Sequence, residues 1–489
     1  MQFLSQPRIS WLIFLKKYKI TNLQMKIALV YPPASELNLK GYPLGLAYLG
    51  ASLNKQHEVD IFNYNGKEFN QSIRAFLSSI RIKRPDLVGI SFNSFNRWGA
   101  FKLLKQIKKI DKKIFVVLGG VHPSTLYEQT FKYFYNDLDF IIQSEGERSL
   151  PKLCQALEGG SDLSSISGLV YKDKSGGMAV NRVSELVQDL DELDLPDYAY
   201  AAEEIKQKEI AYLITSRGCP VNCSFCSTSS FWGQNVRMNS VERIGEEVEL
   251  VKQMGAKRIF FHDDTFNLGI ERTIKIAEKL KKSEVEYAIQ CRVTPVNEEM
   301  IAKLADSGCR HITWGVETLS ENILGKINKK ITRELVKNAF DICAKFTDKM
   351  TTSAFFCVGT PGETEATIRE TVDYANANIR STHGAGASML YVLPGTKIYA
   401  DLVKENKFDE KKWIRSGAVN YYTKEHNIRT LNRWRKMVNH CGTQIPHAVK
   451  YFWDAVPAGL IQKRALGSRR LARILSKIKR SVNLSLSRY

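Results

Sequence analysis

Residues Ala211 to Cys226 read AYLITSRGCPVNCSFC, an apolar, strand-forming run that passes directly into a loop rich in Gly, Pro, Asn and Ser. Cys219, Cys223 and Cys226 fall in that loop with three and then two residues between them. Gly218, Pro220, Asn222 and Ser224 make the segment a turn rather than a place for buried core cysteines. Three thiolates can each hold one iron of a cubane 4Fe-4S cluster and leave the fourth iron open to an outside ligand. A tetrahedral zinc site is the rival reading, but it needs a fourth Cys or His that no well-spaced residue supplies.

Working outward, the run from Ala211 to about Leu393 alternates short β-prone segments with longer ones of helical period. Strands are expected at 211–216, 257–262, 285–291, 310–316, 352–358 and 386–392. This rhythm fits a partial β/α barrel of six units, with its chemistry at the carboxyl ends of the strands. Upstream the same alternation places strands at 26–31, 57–64, 86–92, 113–119 and 139–143. That pattern predicts a doubly wound, flavodoxin-like layer whose ligands lie beyond the strand ends. The expected fold class is therefore α/β throughout, with a mostly helical region after the barrel. The division is 1–24 as an N-terminal extension, 25–158 as the first α/β domain and 159–204 as a linker, with a hairpin around Gly168 to Lys172 and an acidic stretch from Glu185 to Asp197. The barrel follows at 205–400, then 401–460, then a basic amphipathic tail at 461–489. Met25 stands directly before the first strand, so residues 1–24 read as an extension or as the product of an upstream start.

The chain has 489 residues, 44% hydrophobic and 25% charged, which is enough for two or three domains with buried cores. Nine cysteines, an odd number scattered through a large chain, point to reduced thiols and a cytoplasmic setting. No apolar run near the N-terminus is long enough to span a bilayer. The formal charge of +20 is concentrated at the end, where nine basic residues and no acidic one follow Ile461. There Leu471, Ile474, Leu475, Ile478 and Val482 recur at helical spacing. An interfacial helix on anionic lipid and a terminal helix docked by its apolar stripe fit equally well. Nucleic-acid binding ranks below both, because the tail lacks interleaved aromatics.

The cysteine loop resembles the cluster motif of the radical S-adenosylmethionine (SAM) superfamily, Cys-x-x-x-Cys-x-aromatic-Cys, with Phe225 at the aromatic position. The resemblance continues over residues 205 to 400. Phe261-His262-Asp263-Asp264-Thr265-Phe266 is similar to the family's Asp-Asp-x-Phe element, Gly315-Val316-Glu317-Thr318 to its Gly-x-Glu-Ser stretch, and Gly359-Thr360-Pro361-Gly362-Glu363-Thr364 to its Gly-x-Pro-Gly-Glu-Thr turn. It implies that the cofactor's amino and carboxylate groups chelate the open iron, that Phe225 borders adenine, and that Glu317 accepts from the ribose hydroxyls. Asp264, Gly359 and Pro361 complete the implied SAM set. Read without the family, Asp264 or Asn267 could be a helix N-cap and Glu317 a helix-starting acid. Gly359, lacking a β-carbon, would let backbone approach a ligand.

The N-terminal layer resembles the cobalamin-binding domains fused to such barrels. The matches are Pro43 and Leu44 opening the first helix, Ser91 ending strand three, Gly119 and Gly120 ending strand four, and Glu145 and Gly146 after strand five. Cobalamin domains that ligate cobalt by histidine carry Asp-x-His-x-x-Gly after strand one. Here Tyr31-Pro32-Pro33-Ala34-Ser35 offers no histidine, so the lower face of cobalt is expected to lack one. His57 reads as a surface or turn residue and His122 as a cap or turn residue.

The resemblance implies reductive cleavage of SAM to a 5′-deoxyadenosyl radical, hydrogen abstraction from an unactivated carbon, and methylation of that carbon from methylcobalamin. The substrate would be a small or lipid-like molecule and the electron donor a flavodoxin or ferredoxin. A cobalamin-dependent radical cyclase or oxidoreductase acting on a tetrapyrrole-like or other natural product is the alternative. Methylthiotransferases of tRNA hold a second cluster through N-terminal cysteines, whereas this N-terminal domain has Cys154 alone. A non-catalytic sensor would have no use for the SAM elements. Aromatic residues after Asp401, among them Trp413, Tyr421, Tyr422, Trp434, Tyr451, Phe452 and Trp453, suit either an apolar lid or a small core.

Overall fold

The computed structural model describes residues 24–34, 41–184, 186–379, 384–414, 416–418, 420–439 and 441–442. The basic tail, the N-terminal extension to residue 23 and the aromatic run at 451–453 lie outside the described residues.

The first sheet is built from β1 (Lys26–Tyr31), β2 (Glu58–Asn63), β3 (Leu87–Ser91), β4 (Phe115–Gly119), β5 (Phe140–Ile142), β6 (Leu169–Lys172) and β7 (Met178–Val180). Its order is β2-β1-β3-β4-β5-β6-β7. The first five strands are parallel, in the flavodoxin-like arrangement with its switch point beside β1 and β3. The hairpin expected in the linker is not free: β6 pairs antiparallel with β5 and β7 with β6, so the hairpin extends this sheet. Buried Leu169 and Val170 supply the reason, since burial on that sheet removes them from water.

The second sheet is all parallel, in the order β15-β14-β13-β12-β11-β8. Its strands are β8 (Ile210–Leu213), β11 (Arg258–Phe261), β12 (Glu286–Cys291), β13 (Cys309–Glu317), β14 (Thr351–Val358) and β15 (Ala385–Met389). The run expected at 211–216 breaks after Leu213. Asp263 takes the Thr215 N–H at 3.0 Å and the Thr215 and Ser216 hydroxyls at 2.7 and 2.6 Å. Ser216–Arg217 (β9) then pairs antiparallel with Arg237–Met238 (β10).

Side chains alternate along the barrel strands. Ile259, Tyr287, Ile289, Ile312, Trp314, Ala354 and Phe356 enter one core with the surrounding helices. The helix Ile428–Val438 adds Leu431, Trp434 and Val438 to that core. Trp413 and Tyr422 pack with Cys357, Leu390 and Ile398 in a smaller cluster. The described aromatics after Asp401 thus include core residues rather than a lid. Trp413 also carries the Arg97 guanidinium 4.5 Å above its ring, joining the C-terminal region to the first domain.

His57, read as a surface or turn residue, and His122, read as a cap or turn residue, are both buried. His57 is 4% exposed, with Nδ1 3.5 Å from Glu158. His122 is 1% exposed, contacts Ser94 Oγ at 3.1 Å through Nδ1, and packs on Phe92 and Trp413. Burial pushes its pKa down to about 3, so it is neutral.

Where the two sheets meet, Tyr198 donates to the carboxyl of Glu247, and both side chains are buried. Burial raises the Glu247 pKa to about 7, so the folded chain keeps a proton that the unfolded chain has released. Stability from this group is therefore complete below about pH 4.5 and is lost as pH rises through about 7, a change of roughly 3 kcal/mol. Urea denaturation across pH 4.5 to 7.5 should show that this part of the slope is flattened in Glu247→Gln. An unchanged slope would mean that Glu247 is ionised in the fold.

Candidate active site

The cysteine loop is fixed by neighbours on three sides. Ser224 N–H donates to Ile327 O at 3.0 Å, the Asn328 side chain to Asn222 O at 2.7 Å, and Ile398 N–H to Ser224 O at 3.3 Å. Within the loop Cys226 N–H closes on Cys223 O at 3.1 Å. Cys223 is buried, and Cys219 and Cys226 are partly so. Burial raises the Cys223 thiol to about 11, opposed by the positive charge of Lys329 and Arg292. Among the described residues no three His, Cys, Asp or Glu side chains converge on a single metal ion. Three thiolates that each serve a different iron have no need to converge on one point.

The end of β11 supports this loop. Cys219 Sγ lies 3.5 Å from Thr265 Oγ1, and Cys226 Sγ lies 3.2 Å from Thr228 Oγ1, which donates to Asp264 at 2.8 Å. Neither Asp264 nor Asn267 caps the next helix, whose N-cap is Gly269. Asn267 bonds to the carbonyls of Arg292 and Pro295. Asp263 and Asp264 are not equivalent at the barrel mouth, because Asp263 is consumed by Thr215 and Ser216. Phe225 packs against the cluster containing Cys357 and Ile398.

Glu317 ends β13 in the left-handed region, at φ 67°, four residues before the next helix begins at Glu321. It is not a helix-starting acid. Its carboxylate is buried and paired with Lys329 Nζ at 2.8 Å. Lys329 meets it only because the chain folds back onto β13. At the end of β14, Glu363 accepts from Gly359 N–H at 2.5 Å and Thr360 N–H at 3.2 Å, and burial raises its carboxyl to about 7. Pro361 is partly exposed on that turn. Gly359 has φ 85°, and a β-carbon there would stand 2.8 Å from Leu431. The close approach that this glycine permits is to the helix Ile428–Val438, not to an open ligand space.

Beyond the strand ends of the first sheet lies a cavity of about 640 Å³. Pro43, Leu44, Ser91, Gly119, Gly120, Glu145 and Gly146 all line it. Its other wall comes from the barrel side, through Tyr212, Ile214, Arg217, Trp232 and His262, none of which the sequence assigned to it. Gly120 has φ 94°, and a β-carbon would meet the Phe92 backbone at 2.6 Å. Gly45 and Gly119 are different: a β-carbon would meet nothing within 4 Å at Gly45 and only Ile142 O at 4.0 Å at Gly119. Packing within the protein does not require glycine at these two positions, and both face the cavity. A flat ligand lying against bare backbone would need them, so the cavity fits a corrin. Among its described lining residues the one histidine is His262, on the barrel side.

Glu145 lines this cavity but its carboxylate is already occupied. Arg217 reaches Glu145 and Glu147 at 2.7 Å each, and Arg237 reaches Glu145 at 2.8 Å, all four side chains being buried. This cluster ties the end of β5 to β9 and β10. Arg217 also lies 4.9 Å from the Tyr48 ring and 5.3 Å from the Trp232 ring.

Comparison with known proteins bears on both sites. Residues 213–375 match the family model of the Radical SAM superfamily, and residues 33–154 match that of the B12 binding domain. An uncharacterized methyltransferase of Pyrococcus horikoshii is 32% identical, over 84% of this chain and 91% of that protein. The anaerobic magnesium-protoporphyrin IX monomethyl ester cyclase of Rubrivivax gelatinosus is 27% identical, over 76% and 68% of the two chains. The solved structure of the radical SAM methyltransferase TsrM from Kitasatospora setae, with cobalamin and a 4Fe-4S cluster bound, superposes with a TM-score of 0.67 at 20% identity, covering 78% of this chain and 75% of that one.

Proposed function

Because the chain belongs to the cobalamin-binding branch of the radical SAM superfamily, we propose that it methylates an unactivated carbon of a small molecule. It is an enzyme of this family, with a 4Fe-4S cluster, SAM and cobalamin as its cofactors. The glycine-floored cavity walled by both domains supports cobalamin, and the 32% identity to a methyltransferase over 91% of that protein carries methyl transfer over cyclisation. When bound, these groups supply the radical and methyl-transfer chemistry. The protein's own contribution is positional. Cys219, Cys223 and Cys226 would hold the cluster; Phe225, Asp264, Glu317 and Pro361 would surround SAM; and the residues assigned to cobalamin would floor the corrin. Lys329, paired with the Glu317 carboxylate at 2.8 Å, would fix the position of that carboxylate. A flavodoxin or ferredoxin as electron donor and a reducing, cytoplasmic setting belong to the same proposal. None of the described helices is long and apolar enough to cross a membrane.

The test is anaerobic reconstitution with iron, sulfide and hydroxocobalamin, followed by reduction in the presence of SAM carrying a deuterated methyl group. Release of 5′-deoxyadenosine with a deuteromethylated product supports the reading. Deoxyadenosine with an unmethylated, cyclised or oxidised product would replace it with the cyclase alternative. A separate test concerns the cavity floor. Gly119→Leu introduces a side chain where the protein leaves space, so its melting temperature should match the wild type. Its corrin affinity should fall by about tenfold or more, because the side chain occupies the volume of the ligand. Full corrin binding by this variant would remove Gly119 from the site.

A further inference from the structure

His262, directly after β11, is the one described histidine whose ring has no polar partner among the described residues. His57 has Glu158, His122 has Ser94, His311 has Thr351 and Ser353, and His426 has the carbonyl of Glu363. The His262 backbone is fixed, its N–H donating to Leu213 O at 2.8 Å. Its side chain is exposed, and what it is exposed to is the corrin cavity, which it lines from the barrel side.

An aromatic contact places the ring. The Tyr212 ring meets it edge-on at 5.0 Å, and Tyr212 is itself tied to the first domain, its N–H donating to the Tyr42 hydroxyl at 3.0 Å and its ring lying 5.3 Å from that of Tyr42. Tyr42 directly precedes Pro43 and Leu44 of the cavity floor. The imidazole belongs to the barrel, yet its position is set against the domain that floors the corrin. The cavity walls around it desolvate the ring and lower its pKa below the usual histidine value, so at pH 7 it is neutral and keeps a free lone pair.

The other donors around the cavity are occupied or missing. Arg217 and Arg237 hold Glu145 and Glu147, the Tyr31 hydroxyl accepts from the Asn93 amide at 3.0 Å, and no Cys, Met or Lys is among the described lining residues. On the floor, Gly45 and Gly119 present bare backbone, which offers no side-chain donor. A corrin fills four positions of its cobalt by itself, so one imidazole on the opposite wall is enough to complete a face, and imidazole is a ligand suited to transition metals. We propose that His262 is a cobalt ligand, binding the metal from the barrel side through a ring nitrogen in place of water. The exchange moves no electron and releases no proton. The inference rests on cobalamin in the cavity and not on methyl transfer. An imidazole and a methyl group cannot share one face of cobalt, so His262 caps the metal between turnovers and leaves it when that face is used.

The test uses the full chain with its cluster assembled and kept oxidised, loaded with cob(II)alamin and measured by electron paramagnetic resonance. An ordinary nitrogen on cobalt splits each high-field cobalt line into a triplet, whereas nitrogen-15 splits it into a doublet. Protein made with nitrogen-15 histidine should therefore show doublets. His262→Gln, labelled in the same way, should lose them while keeping the corrin and cluster absorbance of the wild type, which separates a lost ligand from a lost fold. Triplets unmoved by the label would assign the ligand to the cofactor's own base, and unsplit lines would show no nitrogen on cobalt; either result overturns the proposal and leaves cobalamin binding standing. Doublets that persist in His262→Gln would overturn it in favour of another histidine. A wild type that takes up no corrin would overturn the cobalamin assignment along with it.

Discussion

Cys223→Ala is expected to leave a folded protein that assembles no 4Fe-4S cluster and releases no detectable 5′-deoxyadenosine on reduction with SAM. The loop that carries Cys223 is anchored by groups the substitution does not touch, namely the Ser224 N–H to Ile327 O bond and the Asn328 bond to Asn222 O. Loss of fold is therefore not the route to loss of activity. Of the three thiols Cys223 is the buried one, and Lys329 and Arg292 supply positive charge beside it. An anionic ligand belongs where such charge offsets the cost of burial. The remaining six cysteines, Cys154, Cys291, Cys309, Cys343, Cys357 and Cys441, are buried and free, and all six thiols are raised by burial. They offer no replacement at the loop. Iron and sulfide content, the absorbance of the reconstituted protein and deoxyadenosine measured by chromatography would decide the matter. A variant that still cleaves SAM would remove these three cysteines from the reaction.

Arg217→Ala should lower stability by about 3 to 5 kcal/mol, because it strips one cation from a buried cluster and leaves Glu147 without its charge partner. Arg237 still reaches Glu145, but no salt bridge from it reaches Glu147 among the described residues. The guanidinium is also lost from beside Tyr48 and Trp232, so the cavity wall loosens and corrin affinity should fall with stability. Urea denaturation reports the first effect and equilibrium binding of hydroxocobalamin the second. Adding Glu147→Gln to Arg217→Ala should restore part of the stability, since the orphaned charge disappears. A loss below about 1 kcal/mol in the single variant would show that the cluster is solvated and holds the domains only weakly.

Much of the architecture could be read from residue order. The alternation of apolar strands with helical segments gave both parallel sheets, because hydrophobic period follows backbone geometry locally. The cysteine spacing and the strand-end glycines were legible for a similar reason, being short motifs whose meaning lies within a few residues. What could not be read depends on partners far apart in the chain. Asp263 breaks the first barrel strand through Thr215 and Ser216, 48 and 47 residues away. His57 looked like a surface or turn residue because its neighbours Gln56 and Glu58 are polar, yet the fold buries it. Gly359 seemed to make room for a ligand, and the structure fills that room with Leu431.

By itself, then, the sequence determined the order of two α/β layers, the three-cysteine loop and the set of strand ends that line the cavity. Each of these follows from local period, turn chemistry or motif spacing. Tertiary structure alone decided that Arg217 and Arg237 meet Glu145 and Glu147, that Lys329 holds Glu317, and that Tyr212 and His262 wall the cavity beyond the first sheet from the barrel side. These are side-chain encounters between segments distant in the chain. Buried charges need countercharges, but which ones they find is set by the packing of whole sheets rather than by any neighbouring residue.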